Sequence, residues 1–209
     1  MKKHRRGLTL IELITVVAII AILAATLLPY AFGRLEDGKI SRTEEEISSL
    51  RSAVAMFFND TSTFPTKWID LVTPPQNLSN WRGPYINKLP NTSSAVWTEA
   101  SAWKTDYRLW SLVGATTDNR FGSNTNLYPF RNAIALEITN PSPPSPIPLT
   151  SLQKIDTDLD NNNASSGFII EANSNTSPFV PANSSMAGLT TGANYTGGGK
   201  SVYILLFTY

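Results

Sequence analysis

Cysteine is absent from the 209 residues, and histidine occurs once, as His4. Stability must come from packing, hydrogen bonds or ions rather than disulfides, and beyond residue 4 no thiol or imidazole can act as nucleophile, base or metal ligand. Those absences remove the commonest catalytic constellations. Paired carboxylates remain a route to catalysis, but no pair stands in a context that argues for it, and the chain is read as a non-enzyme. Charge is sparse as well, at 16% of residues. Four of the 17 basic side chains, Lys2, Lys3, Arg5 and Arg6, fall within the first six residues, which leaves 13 basic against 16 acidic and a net charge of −3. A body of that sign lacks the basic stripe that nucleic acid demands, so nucleic acid is not a main partner. No internal repeat is evident.

What is present is led by the stretch Leu8 to Leu28, LTLIELITVVAIIAILAATLL, 21 residues with a single formal charge at Glu12. At ~1.5 Å per residue it makes about 30 Å of helix, enough to cross the hydrocarbon core of a bilayer. The basic cluster before it sets that end in the cytoplasm and the rest of the chain outside. An ordinary secretory signal has a shorter apolar core, roughly 7 to 15 residues, with small residues after it; here the run is longer and the small residue, Gly7, precedes it. Cleavage at Gly7 would keep the helix. Glu12 is a functional candidate, because an acidic side chain costs roughly 2.5 to 3.5 kcal/mol at the bilayer centre. The plainer alternative is a carboxylate snorkelling to the headgroups.

These residues carry a resemblance. RRG followed by LTLIELITVVAIIAILAATLLP is similar to the class III signal of type IV prepilins and of the pseudopilins of type II secretion. The resemblance implies that a prepilin peptidase of the inner membrane cuts after Gly7 and that the new amino terminus, Leu8, is methylated; members usually start with phenylalanine, where this chain has leucine. It implies that Glu12, fifth in the mature chain, pairs with the amino terminus of a neighbouring subunit, and that Glu12 and Pro29 serve assembly.

Beyond Leu28 the helix need not stop. Pro29 should kink or locally open it, with a plain helix end as the alternative. Ile40, Thr43, Ile47, Leu50, Val54 and Phe57 then recur at spacings of three and four, which predicts an amphipathic helix from about Asp37 to about Asn59 whose apolar stripe needs a cover. Gly33 and Gly38 are points where it could bend. The acidic run of Glu44, Glu45 and Glu46 reads as a solvated face, with an intersubunit ion-pair face as the alternative. Asp60 to Pro65 closes the helix, and TKWIDLVTPPQNLSNWRGPYINKLP follows as an ordered loop packed on the stem. This stretch resembles the segment after the stem in major pseudopilins of type II secretion, through Phe64, Pro65, Leu71, Val72, Pro74, Pro75, Asn80, Trp81, Arg82, Gly83, Pro84, Tyr85, Ile86, Lys88, Leu89 and Pro90. After Pro90 the chain departs from that pattern, reading NTSSAVWTEASAWKTDYRLWSLVG.

Strands are predicted at Tyr107 to Val113, Ala133 to Thr139, Phe168 to Ala172 and Ser201 to Thr208, and a short helix at Ser151 to Leu159 capped by Thr150 or Ser151. PSPPSPIP and the Asn, Ser, Thr and Gly rich tract from Asn173 to Gly199 read as long exposed loops. The fold class expected is α+β: a long helical stem, transmembrane and then amphipathic, against a small antiparallel sheet, as in pilins. The divisions are residues 1–7 as cleaved leader, 8–60 as N-terminal helix with 8–28 in the membrane, and 61–209 as a C-terminal globular domain.

Asp156, Asp158 and Asp160 alternate as at the start of a calcium loop, but Asn161 stands where the turn glycine belongs and Gly167 where the bidentate glutamate belongs. The other reading sets Asp156 and Asp158 on the wet face of the short helix, with Asp160 to Asn163 turning toward Phe168. Calcium in a C-terminal loop occurs in major pseudopilins, so the resemblance keeps calcium open; no other cofactor is expected. It further implies a bacterial inner-membrane protein, single-pass, with its C-terminal domain in the periplasm. Such a chain would be extracted by an assembly platform and ATPase into a filament with other pilin-like subunits. The leading reading is a structural pseudopilin of type II secretion. The alternatives are a type IV pilin for adhesion, twitching motility or DNA uptake, and a monomeric membrane-anchored binding module.

Overall fold

The computed structural model describes residues 9–88, 90, 94–112, 119–122, 132–140, 146–175, 177–181, 194–196 and 199–208. In order along the chain come α1 (Leu10–Thr61), a 3₁₀ turn (Trp68–Leu71), β1 (Val96–Trp97), β2 (Tyr107–Leu112), β3 (Asn119–Phe121), β4 (Ala133–Ile138), α2 (Leu149–Leu159), β5 (Ile169–Asn173), β6 (Phe179–Pro181) and β7 (Lys200–Thr208). The chain divides into two units, residues 1–38 and 39–209.

The first unit is the apolar part of α1. From Leu10 to Leu35 its large side chains are exposed, and this is the one helix among the described residues long and apolar enough to cross a membrane. Pro29 lies inside the helix, so the reading of Pro29 as a plain helix end does not hold. Gly33 and Gly38 are helical too, with open space where a side chain would stand. Two hydroxyls that lipid would leave without partners turn back on their own helix: Thr15 Oγ1 donates to the Ile11 carbonyl at 2.8 Å and Thr26 Oγ1 to the Leu23 carbonyl at 2.8 Å. That back-bonding makes them cheap to immerse.

In the second unit the predicted stripe is the buried one: Ile40, Thr43, Ile47, Leu50, Val54 and Phe57 are all buried, joined by Ala53. Their cover is a five-stranded antiparallel sheet in the order β1-β2-β4-β7-β5. Period-two alternation sorts its faces. Ile134, Leu136 and Ile138 of β4 join Val202, Ile204 and Leu206 of β7 in the cluster with α1. The intervening Ala133, Ala135, Tyr203 and Leu205 point to the opposite face, where they meet Phe121 and Phe179. Those two phenylalanines come from β3 and β6, which pair as a separate two-stranded sheet. The small side chains of Ala133, Ala135 and Ala172 make room for the rings, so β4 and most of β5 and β7 are buried on both faces, while β2 stays half-exposed on the second.

The four predicted strands are present with ends moved by a residue or two, and β1, β3 and β6 are additional. At two or three residues each they are too short to show alternation. The predicted loop packs as expected, with Trp68, Leu71 and Ile86 in the α1 cluster and Trp68 Nε1 donating to the Tyr107 carbonyl at 3.1 Å. The cap of α2 differs from expectation. Its N-cap is Pro148 without a side-chain cap bond, and the Pro148 carbonyl accepts from Ser151 N and Leu152 N at 3.0 and 3.2 Å. Proline, locked near the dihedral a helix start needs, leaves Thr150 and Ser151 inside the first turn. Of the two tracts read as exposed loops, residues 141–145, 176, 182–193 and 197–198 lie outside the described residues; among the rest, Ile147 and Tyr195 are both buried.

Candidate functional site

The residues singled out for assembly, Glu12 and Pro29, both lie on α1. Gly7 and Leu8 lie outside the described residues. Thr9 and Glu12 form a reciprocal cap at the start of α1: Thr9 N and Thr9 Oγ1 donate to Glu12 Oε2 at 2.8 and 2.7 Å, and Glu12 N donates to Thr9 Oγ1 at 3.3 Å. The Thr-x-x-Glu spacing of residues 9 to 12 is the signature of this capping box; the expectations for Glu12 left Thr9 out. The carboxylate is thereby held at the helix N-terminus, where the macrodipole favours negative charge. At the far end of the apolar run, Arg34 Nη2 donates to the Tyr30 hydroxyl at 2.7 Å, and the guanidinium stands 5.1 Å from the Tyr30 ring centroid. An aromatic ring joined to a cation suits a membrane-water interface. Between these two ends the helix presents Leu, Ile, Val and Ala to its surroundings with no protein cover. Surface of that extent and character calls for lipid or for neighbouring stems.

The acidic run on α1 divides by face. Glu45 is exposed, as expected of a solvated face. Glu46 is half-buried and accepts from the Tyr107 hydroxyl at 2.7 Å and from Arg42 at 3.1 Å, with Lys88 at 3.8 Å. Glu44 is raised above the usual carboxylate range, by burial first and then by the Asp158 charge on α2.

The three aspartates placed at alternate positions do not converge. Asp156 is fully buried, which corrects its placement on a wet helix face: its Oδ2 accepts from the Tyr195 hydroxyl at 2.8 Å, and burial raises its carboxyl. Asp158 faces solvent and pairs with Lys154 at 2.8 Å, a contact that lowers its pKa. Asp160 Oδ2 accepts from Ile169 N at 3.0 Å in the turn to β5. Gly167 takes a φ of +89°, and a Cβ there would overlap the Asp160 carboxylate, so no glutamate ligand fits that position. A calcium ion wants six to eight oxygens. Among the described residues no group of three acidic, His or Cys side chains is placed to hold a metal, and this donor set does not fit the ion.

An apolar stem capped by its own carboxylate, continuing as an amphipathic helix under an antiparallel sheet, defines a pilin-like protein. Residues 2–28 match the prokaryotic N-terminal methylation motif, and residues 31–117 match type II secretion system protein G. The type II secretion system core protein G of Vibrio cholerae is 34% identical over 119 residues, covering 53% of this chain and 75% of that protein. Its counterpart in Xanthomonas campestris is 27% identical over 121 residues, covering 57% and 83%. The chain belongs to the type II secretion system core protein G family. Among solved structures, the major type IV pilin PilA1 from Clostridium difficile aligns with a TM-score of 0.40 and 18% identity, over 83% of this chain and 98% of that one. The protein G match ends at residue 117, so β3 to β7 and α2 lie beyond it.

Proposed function

We propose that this chain is a pseudopilin, a structural subunit of the filament of a type II protein secretion system. The observation that carries the reading is the succession of a methylation motif over residues 2–28 and a protein G match over residues 31–117. On this reading a prepilin peptidase removes residues 1–7 after Gly7 and Leu8 becomes the methylated amino terminus. The mature chain waits in the inner membrane, residues 61–209 in the periplasm, until an assembly platform and its ATPase move it into the filament. The filament is a heterologous contact repeated without closure, joining copies of this chain or other pilin-like subunits. Glu12 is neutralised by the amino terminus of the next subunit, which sets the register of the stems more than the strength of their packing. Pro29 marks the stretch where the stem adapts. The role is structural, with no catalytic step.

The test is deletion of the gene followed by two measurements, the secreted proteins in the medium and the fibres on the cell surface. Loss of secretion with surface fibres intact is the expected result. Loss of surface fibres with secretion intact would make the protein a type IV pilin instead.

A further inference from the structure

Beyond the protein G match, α2, β5 and segment 194–196 are joined by hydrogen bonds from Tyr195 and Thr196 to two buried carboxylates. Segment 194–196 is held from two elements at once. The Tyr195 hydroxyl, itself buried, donates to Asp156 Oδ2 of α2 at 2.8 Å. Thr196 N donates to Glu171 Oε2 and Oε1 of β5 at 2.9 and 3.1 Å, and Thr196 Oγ1 to Glu171 Oε2 at 2.8 Å. Asp156 and Glu171 are both fully buried, where a carboxylate is costly unless hydrogen-bonded. Between α2 and β5, Asp160 Oδ2 takes the Ile169 amide and Gly167 packs against it. The guanidinium of Arg51 on α1 feels the charge of Asp160 in this turn. Arg51 donates from Nε to the Leu205 carbonyl at 3.3 Å and stands 5.8 Å from the Phe168 ring centroid.

We propose that Asp156 and Glu171 clasp Tyr195 and Thr196, so that the described part of the C-terminal region, α2, β5 and segment 194–196, is held together without a divalent ion. The donors of the clasp take acidic oxygens that a cation would otherwise use, apart from Asp156 Oδ1, which is buried and accepts no hydrogen bond. The Tyr195 hydroxyl covers one oxygen of Asp156, backbone and hydroxyl donors cover both oxygens of Glu171, and the Ile169 amide covers Asp160. The inference goes beyond the secretion reading and stands or falls without it, because it is measured on the purified protein.

The experiment uses the full chain in detergent micelles, with calcium chloride or EGTA, and reads the thermal midpoint and the rate of cleavage within residues 182–199 by a broad-specificity protease. For the wild type, midpoint and cleavage rate should be the same in calcium and in EGTA. Tyr195→Phe, which removes one oxygen, should speed cleavage about tenfold in both buffers, the effect of losing a hydrogen bond to an acidic partner when cleavage follows the open population. Thr196→Val should act in the same direction, and it keeps the side-chain shape should the larger change unfold the domain. A rise in the wild-type midpoint of roughly 5–10 °C in calcium, as expected of a site at a hundred times its dissociation constant, would overturn the proposal. So would cleavage rates in both variants equal to that of the wild type.

Discussion

The Tyr107 hydroxyl donates to Glu46 Oε2 at 2.7 Å, tying the second strand to the stem helix across 61 positions of sequence. The ring is almost wholly buried, and its edge meets Trp97 with centroids 6.5 Å apart. Glu46 gathers Arg42 and Lys88 on its wetter side, so one carboxylate joins helix, strand and the loop carrying Lys88.

Tyr107→Phe should therefore lower stability by about 1.5–3 kcal/mol, the range for a hydrogen bond to a charged group. The same pair predicts an alkaline effect. Burial, and then the Glu46 charge, raise the Tyr107 phenol well above its usual value. A group whose folded pKa is raised contributes its stability fully below the unfolded pKa, about 10 for tyrosine, and loses it as pH climbs through the folded value. Urea midpoints of wild type and variant, measured in steps above pH 9, should converge past pH 10. A gap that widened with pH would contradict this.

Glu137 of β4 is fully buried and receives Trp110 Nε1 and Asn175 N, each at 2.8 Å, with Arg108 Nε at 3.5 Å. Truncation to alanine removes the acceptor of Trp110 Nε1 and Asn175 N and the ion partner of Arg108, whose side chain water still reaches in part. We expect Glu137→Ala to cost about 1–3 kcal/mol, the range for leaving hydrogen-bond donors unsatisfied, and Glu137→Gln to cost less, since it keeps the shape and one acceptor. Chemical denaturation of both variants checks the order.

For Glu12 the readout is assembly. Glu12→Val removes the charge and the capping contacts with Thr9 while keeping an apolar helix. The protein should reach the membrane and be processed at wild-type abundance, yet be absent from filaments and fail to support secretion. Filaments purified from cells making only the variant, at wild-type yield, would leave Glu12 without the role proposed for it.

Processing has its own measurement. Gly7→Trp should leave a membrane-bound precursor that retains the basic residues Lys2 to Arg6, seen as the unprocessed mass by intact-protein mass spectrometry. A mature species beginning at Leu8 in that variant would remove Gly7 from the cleavage reaction.

Much of the architecture was legible because its causes are local. An apolar run of bilayer length, the spacing of Ile40, Thr43, Ile47, Leu50, Val54 and Phe57, and the β-branched character of β4, β5 and β7 each follow from the backbone repeat, which neighbouring residues set on their own. The capping box begun by Thr9 has a local signature too, which the reading of Glu12 left out. The α2 cap was misread because two hydroxyl residues beside a proline fit the pattern of an N-cap, and the proline took the position.

What the tertiary structure alone decided is where the polar groups inside the domain find partners. Asp156, Glu137 and Glu171 look like solvent-facing acids in sequence, yet all three are fully buried. Their donors, Tyr195, Trp110 and Asn175, and Thr196, stand 39, 27 and 38, and 25 positions away. Likewise nothing local announces that Phe121 and Phe179 close the second face of the sheet over Ala133, Ala135 and Ala172. Periodicity reports which face of an element is apolar. A buried carboxylate is stabilised by whichever donors the strand order brings to it, and strand order is a property of the whole chain.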